Sequence, residues 1–185
     1  MSAAESYPPA LELQVTQWFN SSTPISLSGL RGKVVVIEAF QMLCPGCVSH
    51  GLPQAKRISD AFSYDDVAVL GLHSVFEHHD AMQPHALEAF LHEYRIGFPV
   101  GVDQPSDTKG VTLPKTMQAY QLRGTPSLLV IARAGRLRLN LFGQENDMKL
   151  AAAISSLVFE SAVIEEINEA DYSDGQTCTL EGCTD

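Results

Sequence analysis

Glu38-Ala39-Phe40-Gln41-Met42-Leu43-Cys44-Pro45-Gly46-Cys47 begins in an apolar run and ends with two cysteines separated by two small residues. Just upstream, Val34-Val35-Val36-Ile37 is β-branched and continuously apolar, the pattern of a central strand buried on both faces. Downstream, Pro45 to Phe62 has helical periodicity, with Pro45 suited to a first turn and Pro53 set to kink the helix. A Cys-x-x-Cys that ends a strand and opens a helix reads as a dithiol redox site. Two buried small hydrophobes, or half of a zinc site, are the competing readings of the pair.

Further elements extend this frame in both directions. Leu11 to Phe19 suggests a short strand at the edge of the core, and Val67 to Leu72 a second buried strand. Asp80 to Tyr94 places Ala86, Leu87, Phe90 and Leu91 on one helical face. A short strand at Phe98–Val102 is followed by a polar loop over 103–113 and a short helix over 114–122. Ser127–Arg133 and Arg136–Phe142 flank Ala134-Gly135 as a hairpin, and a long helix is expected from Asn146 to about Ile167. The order implies an α/β fold, with parallel strands first and antiparallel strands later. Residues 1–10 read as a loose lead-in, 11–169 as one domain, and 170–185 as an acidic tail.

At 185 residues, 45% of them hydrophobic, the chain can bury one sizeable core. A formal net charge of −10 argues against nucleic acid and anionic membrane as partners, since both select basic surfaces. Glu160 to Asp185 contributes carboxylates and no Lys or Arg. The N-terminus lacks a basic segment followed by an apolar one, and no run of 18 apolar residues occurs. A cytoplasmic setting is therefore expected, where four cysteines suit catalysis, sensing or metal binding better than structural cross-linking.

At a helix N-terminus Cys44 faces unpaired N–H groups and the positive end of the helix dipole, which favour its thiolate and make it the expected nucleophile. Cys47, one turn further, is placed to resolve a mixed disulfide. Glu38 is the only charge in its strand; desolvation should raise its pKa and suit it to exchange a proton with Cys47. A strand-end carboxylate satisfied by Lys33 or Lys56 is the alternative. Thr125-Pro126 opens an apolar strand, where a cis bond would leave the neighbouring backbone free to pair with an extended substrate; an ordinary turn proline is the alternative. His73 is expected on the same sheet edge as Cys44 and is a candidate for tuning the thiolate. With Glu77, His78 and His79 it could suggest a metal cluster, but surface or loop histidines are the favoured reading and no metal is assigned.

On these residues the chain resembles the thioredoxin superfamily, specifically the TlpA/ResA-like thiol–disulfide oxidoreductases, from about Trp18 to Val158. The motifs that carry the resemblance are Ile25-Ser-Leu-Ser-Gly-Leu-Arg-Gly-Lys33, Cys44-Pro-Gly-Cys47, Gly71-Leu-His-Ser74 and Ala119-Tyr-Gln-Leu-Arg-Gly-Thr-Pro126. It implies a thioredoxin-like fold, a central mixed sheet flanked by helices, with an N-terminal strand extension and a C-terminal tail. It further implies dithiol–disulfide exchange on protein or small-molecule disulfides, an unidentified electron donor, and no cofactor. In thioredoxin an Asp occupies the place of Glu38 and is assigned to proton transfer with the second cysteine; Thr125-Pro126 matches the cis-proline that contacts substrate. Leu43 stands where the family usually has Trp and so alters the lip of the substrate groove. Pro53 falls one place late, and the 103–113 loop is longer than usual. A peroxiredoxin pocket, Pro-x-x-x-Thr-x-x-Cys, fails here, because Ile37 and Gln41 stand at its Pro and Thr places. A zinc- or partner-binding redox sensor is the other alternative.

Cys178 and Cys183, separated by four residues in the tail, add a second candidate dithiol that could exchange with Cys44 as a redox relay. Mutual pairing, zinc binding and incidental thiols are the alternatives.

Overall fold

The structure, a computed structural model, describes residues 7–160. Its elements are β1 (Val15–Phe19), β2 (Val34–Phe40), α1 (Leu52–Ala61), β3 (Val67–His73), α2 (Pro84–Glu93), β4 (Val100–Asp103), α3 (Lys115–Ala119), β5 (Ser127–Ile131), β6 (Leu137–Phe142) and α4 (Asp147–Val158). The strands form one six-stranded sheet in the order β1-β4-β3-β2-β5-β6. β2, β3 and β4 run parallel, whereas β1, β5 and β6 pair antiparallel to their neighbours. This is the thioredoxin-like arrangement, with β1 as the N-terminal extension.

The unbroken apolar run of β2 takes the central position because both its faces are covered. Val34, Val36 and Phe40 pack in the layer with Leu52, Ala55, Leu87, Leu91 and Ile154 from α1, α2 and α4. Val35, Ile37 and Ala39 face the other layer, with Met117, Tyr120 and Leu122. Burying each large apolar side chain of this set contributes about 1.5–3 kcal/mol. The parallel centre brings the C-terminal ends of β2 and β3 to one edge, where α/β proteins collect their chemistry.

Several boundaries differ from the sequence expectations. The interruption expected at Pro53 falls one turn earlier: helix starts at Pro45, widens to a π turn over Cys47–Gly51, and continues as α1 with Pro53 in its first turn. Pro53 has no N–H to donate to the preceding turn, and a wider turn accommodates that loss. α2 starts at Pro84 rather than Asp80, since Gln83 is extended and proline suits the first helical position. α4 starts as expected, with Asn146 accepting from the backbone N–H groups of Met148 and Lys149, but ends at Val158 instead of continuing to Ile167. The lead-in is anchored from Tyr7 onward: Leu137 N–H donates to the Pro8 carbonyl, and Ala10 N–H to that of Gly135. β6 is a sheet edge, and these bonds satisfy backbone groups that an edge leaves unpaired. The tail read over 170–185, with Cys178 and Cys183, lies outside the described residues.

A dithiol between a cis proline and a buried carboxylate

β2 delivers the chain to the site, and a short turn over Gln41–Leu43 hands it to the helix. Cys44 N–H donates to the Gln41 carbonyl at 3.2 Å. The buried Gln41 side chain holds the turn from the other side: its Oε1 accepts from Phe76 N–H at 3.2 Å, and its amide donates to Glu77 at 3.4 Å. Leu43, 56% exposed, stands free at the lip.

Cys44 and Cys47 form a disulfide with their Cα atoms 5.2 Å apart. They are not equivalent, because Cys44 is half-buried while Cys47 is fully buried. Cys44 Sγ accepts from Cys47 N–H at 3.2 Å and sits at the start of the helix, two features that favour a thiolate once the bond is reduced. An incoming thiol or disulfide can reach Cys44 first; Cys47 can be reached only through Cys44.

The Thr125–Pro126 peptide bond is cis. The Thr125 carbonyl oxygen lies 3.5 Å from Cys44 Sγ; the disulfide sulfur has no proton to give, so this becomes a hydrogen bond only in the thiol form. The proline ring packs on the residues between the cysteines: a Cβ added at Gly46 would lie 3.2 Å from Pro126 Cδ. Ser127 Oγ donates to the Gly124 carbonyl at 2.8 Å and closes the turn that presents this loop.

Beneath the dithiol, Glu38 is 1% exposed and its Oε1 has no hydrogen-bond partner among the described residues. Burial pushes its carboxyl well above the usual carboxylate range. Neither lysine weighed as its partner reaches it: Lys33 donates to the Tyr64 carbonyl and pairs with Asp65, and Lys56 donates to the Tyr94 carbonyl. The carboxylate fits because residue 51 lacks a side chain. A Cβ at Gly51 would stand 2.1 Å from Glu38 Oε1 and 3.0 Å from Pro126 Cβ, so Glu38, the π turn and the cis proline converge at that glycine.

His73 departs from the surface or loop reading. It is the last residue of β3 and fully buried, with its ring centroid 5.4 Å from that of Phe40. Neither ring nitrogen has a hydrogen-bond partner among the described residues, so it donates to neither sulfur, and burial lowers its pKa to about 4. His78 and His79 are exposed, as expected. Among the described residues, no group of three or more His, Cys, Asp or Glu side chains is placed to hold a metal ion. No helix of these residues is long and apolar enough to cross a membrane.

Two supports of the site were not singled out in the sequence. Gly51 had a signal, an isolated glycine inside a helical pattern, which marks a close approach. Gln41 had none, because its role depends on the loop after β3.

No family model matches the chain. A thioredoxin-like superfamily protein of known crystal structure is 61% identical, with a TM-score of 0.80, over 83% of this chain and 98% of that one. A thiol-disulfide isomerase from Corynebacterium glutamicum is 51% identical, with a TM-score of 0.78, over 83% and 97% of the two chains. Among curated proteins, NHL repeat-containing protein 2 of Bos taurus is 27% identical over 136 residues, or 72% of this chain. The chain spans only 17% of that relative's length.

Proposed function

The chain belongs to the thioredoxin-like superfamily, and from that premise we propose that it is a thiol–disulfide oxidoreductase exchanging electrons between Cys44–Cys47 and protein or small-molecule disulfides. The observation that carries this reading is the asymmetric pair itself, with a reachable Cys44 bonded to a buried Cys47 beside the cis proline.

In the reducing direction the Cys44 thiolate attacks one sulfur of a substrate disulfide. That S–S bond breaks, a Cys44–substrate disulfide forms, and the first substrate thiolate leaves and takes a proton. Glu38 accepts the proton of Cys47, whose thiolate attacks Cys44 Sγ and releases the second substrate thiolate. Two electrons have passed to the substrate, and the protein is left as the Cys44–Cys47 disulfide. A dithiol donor restores the reduced form by the same exchange. Burial of Glu38 supports its role, since desolvation raises the proton affinity of its carboxylate and so makes it a better acceptor for the Cys47 proton. Thr125 and Pro126 shape the substrate groove, and Leu43 forms its outer lip.

The relay extends the same proposal. From Glu160 to Cys178 the chain has 18 residues, enough to span about 60 Å when extended, whereas the seven residues of β2 span about 23 Å. In the relay a Cys178 thiolate attacks Cys44 Sγ and expels Cys47; Cys183 then attacks Cys178 and frees Cys44, passing two electrons to the site. Ending the chain after Ser173 should slow re-reduction by at least one dithiol donor, and unchanged kinetics with every donor tried would remove the relay.

Reduction of insulin disulfides tests the core of the reading. The wild-type protein should turn over at least about 10³-fold faster than Cys44→Ser, the size of loss expected when a nucleophile is removed. Equal rates for the two would overturn it.

A further inference from the structure

Phe142 is the last residue of β6 and 52% exposed, although β6 brings it beside the cis-proline loop. It is paired with Ser127, and Gly143 N–H donates to the Pro126 carbonyl at 2.9 Å, so the end of β6 is fixed to the cis proline. Its ring reaches back over the preceding turn, where a Cβ at Gly124 would lie 3.0 Å from Phe142 Cε2. The guanidinium of exposed Arg123 stands 5.3 Å from the ring centroid and makes no ion pair among the described residues. Only Gly124 separates Arg123 from Thr125, whose carbonyl lies 3.5 Å from Cys44 Sγ. Leu43 flanks Cys44 with a second exposed apolar surface.

Resting on the function proposed above, we infer that the Arg123–Phe142 shelf docks polypeptide substrates whose cysteine is followed by an apolar residue and a carboxylate. The apolar side chain lies on Phe142 and the carboxylate pairs with Arg123, which stacking on the ring holds in place. Charge makes this choice specific. The chain carries a net −10, so its overall field disfavours acidic substrates, and Arg123, two residues before the Thr125 whose carbonyl lies against Cys44 Sγ, supplies an exposed cation on this side. On the β3 side of the site the exposed charge is Glu77, held by Gln41, so a carboxylate is favoured on the Arg123 side and disfavoured on the other.

The test uses the full chain and short peptides carried as mixed disulfides with a chromogenic aromatic thiol. The peptides contain Cys-Leu-Glu, Cys-Leu-Lys or Cys-Ser-Glu, and each reaction is read as kcat/KM. At low ionic strength the wild-type ratio for the Leu-Glu over the Leu-Lys peptide should exceed that of Arg123→Glu by about five-fold or more, with Arg123→Gln between them. The difference should shrink in 0.5 M salt. Phe142→Ser should remove the preference for the Leu-Glu over the Ser-Glu peptide. Equal ratios in wild type and Arg123→Glu, with turnover that depends on Cys44, would overturn the shelf and leave the oxidoreductase standing. Absence of Cys44-dependent turnover on every peptide would overturn both.

Discussion

Glu38 and His73 stand on the same face of neighbouring strands. Glu38 is opposite Gly71 in β3, and His73, two residues further on, is opposite Phe40. Both are buried and, among the described residues, both lack hydrogen-bond partners, at Oε1 of Glu38 and at both ring nitrogens of His73. Desolvation favours the neutral form of each, raising the pKa of the acid and lowering that of the base. What separates them is the neighbour. Glu38 touches the π turn and Pro126 through the space left by Gly51, whereas His73 touches the ring of Phe40, which leans across Gly71. A perturbed pKa alone would therefore nominate two candidates, and contact with the π turn and Pro126 favours the proposal for Glu38.

The largest effect that sharpens this contrast is on turnover. Glu38→Gln should lower the rate of the step that needs the Cys47 thiolate by about 10²-fold, the usual scale for losing a positioned proton acceptor. A loss under three-fold at every pH would place Glu38 with His73 as a group that is merely buried. The same variant has a stability signature. The native pKa of Glu38 is raised, so its stabilising contribution is complete below the unfolded value of about 4.3 and is lost as pH rises toward the native one. Glu38→Gln should gain on wild type in urea unfolding as pH rises from 4 toward neutrality.

Gly51→Ala probes the contact that distinguishes the two sites. Its methyl group would fall 2.1 Å from Glu38 Oε1, so the carboxylate or the helix must move. Overpacking of this kind costs about 1–3 kcal/mol, and turnover should fall together with stability. If turnover stays at the wild-type level, Glu38 does not need its position against the π turn.

The sequence made the frame of the site legible because its signals are local. β-branching marked β2, spacing marked the dithiol, and Asn146 marked the start of α4. Other features depend on contacts between distant segments. His73 ends a strand beside loop residues, and nothing in Gly71-Leu72-His73-Ser74 says that Phe40 packs against it. Gln41 looks like a polar strand end until Phe76 and Glu77 return to it. The shelf at Phe142 and Arg123 is likewise made by pairing between β5 and β6, which brings the end of β6 to the turn before β5.

The smallest expected effect comes from His73, and it tests the contrast from the opposite side. Leu replaces the ring with an apolar group of similar size, and no hydrogen bond is lost because the imidazole makes none among the described residues. Turnover at pH 7 should stay within about two-fold of wild type, as expected for a group that acts on no reacting atom. Stability should nevertheless acquire a different pH dependence. With a native pKa of about 4, His73 is uncharged in the fold while the unfolded chain protonates near 6.5. Its contribution is complete above pH 6.5 and is lost as pH falls toward 4, by about 1 kcal/mol between pH 7 and 5.5. His73→Leu removes that loss, so the variant should gain on wild type as the solution is acidified, whereas Glu38→Gln gains as it is made more alkaline. Opposite slopes, with a rate defect only in the Glu38 variant, separate a buried group held against the π turn and Pro126 from one held against a ring. A rate defect in His73→Leu that follows Cys44 reactivity would return the histidine to the site.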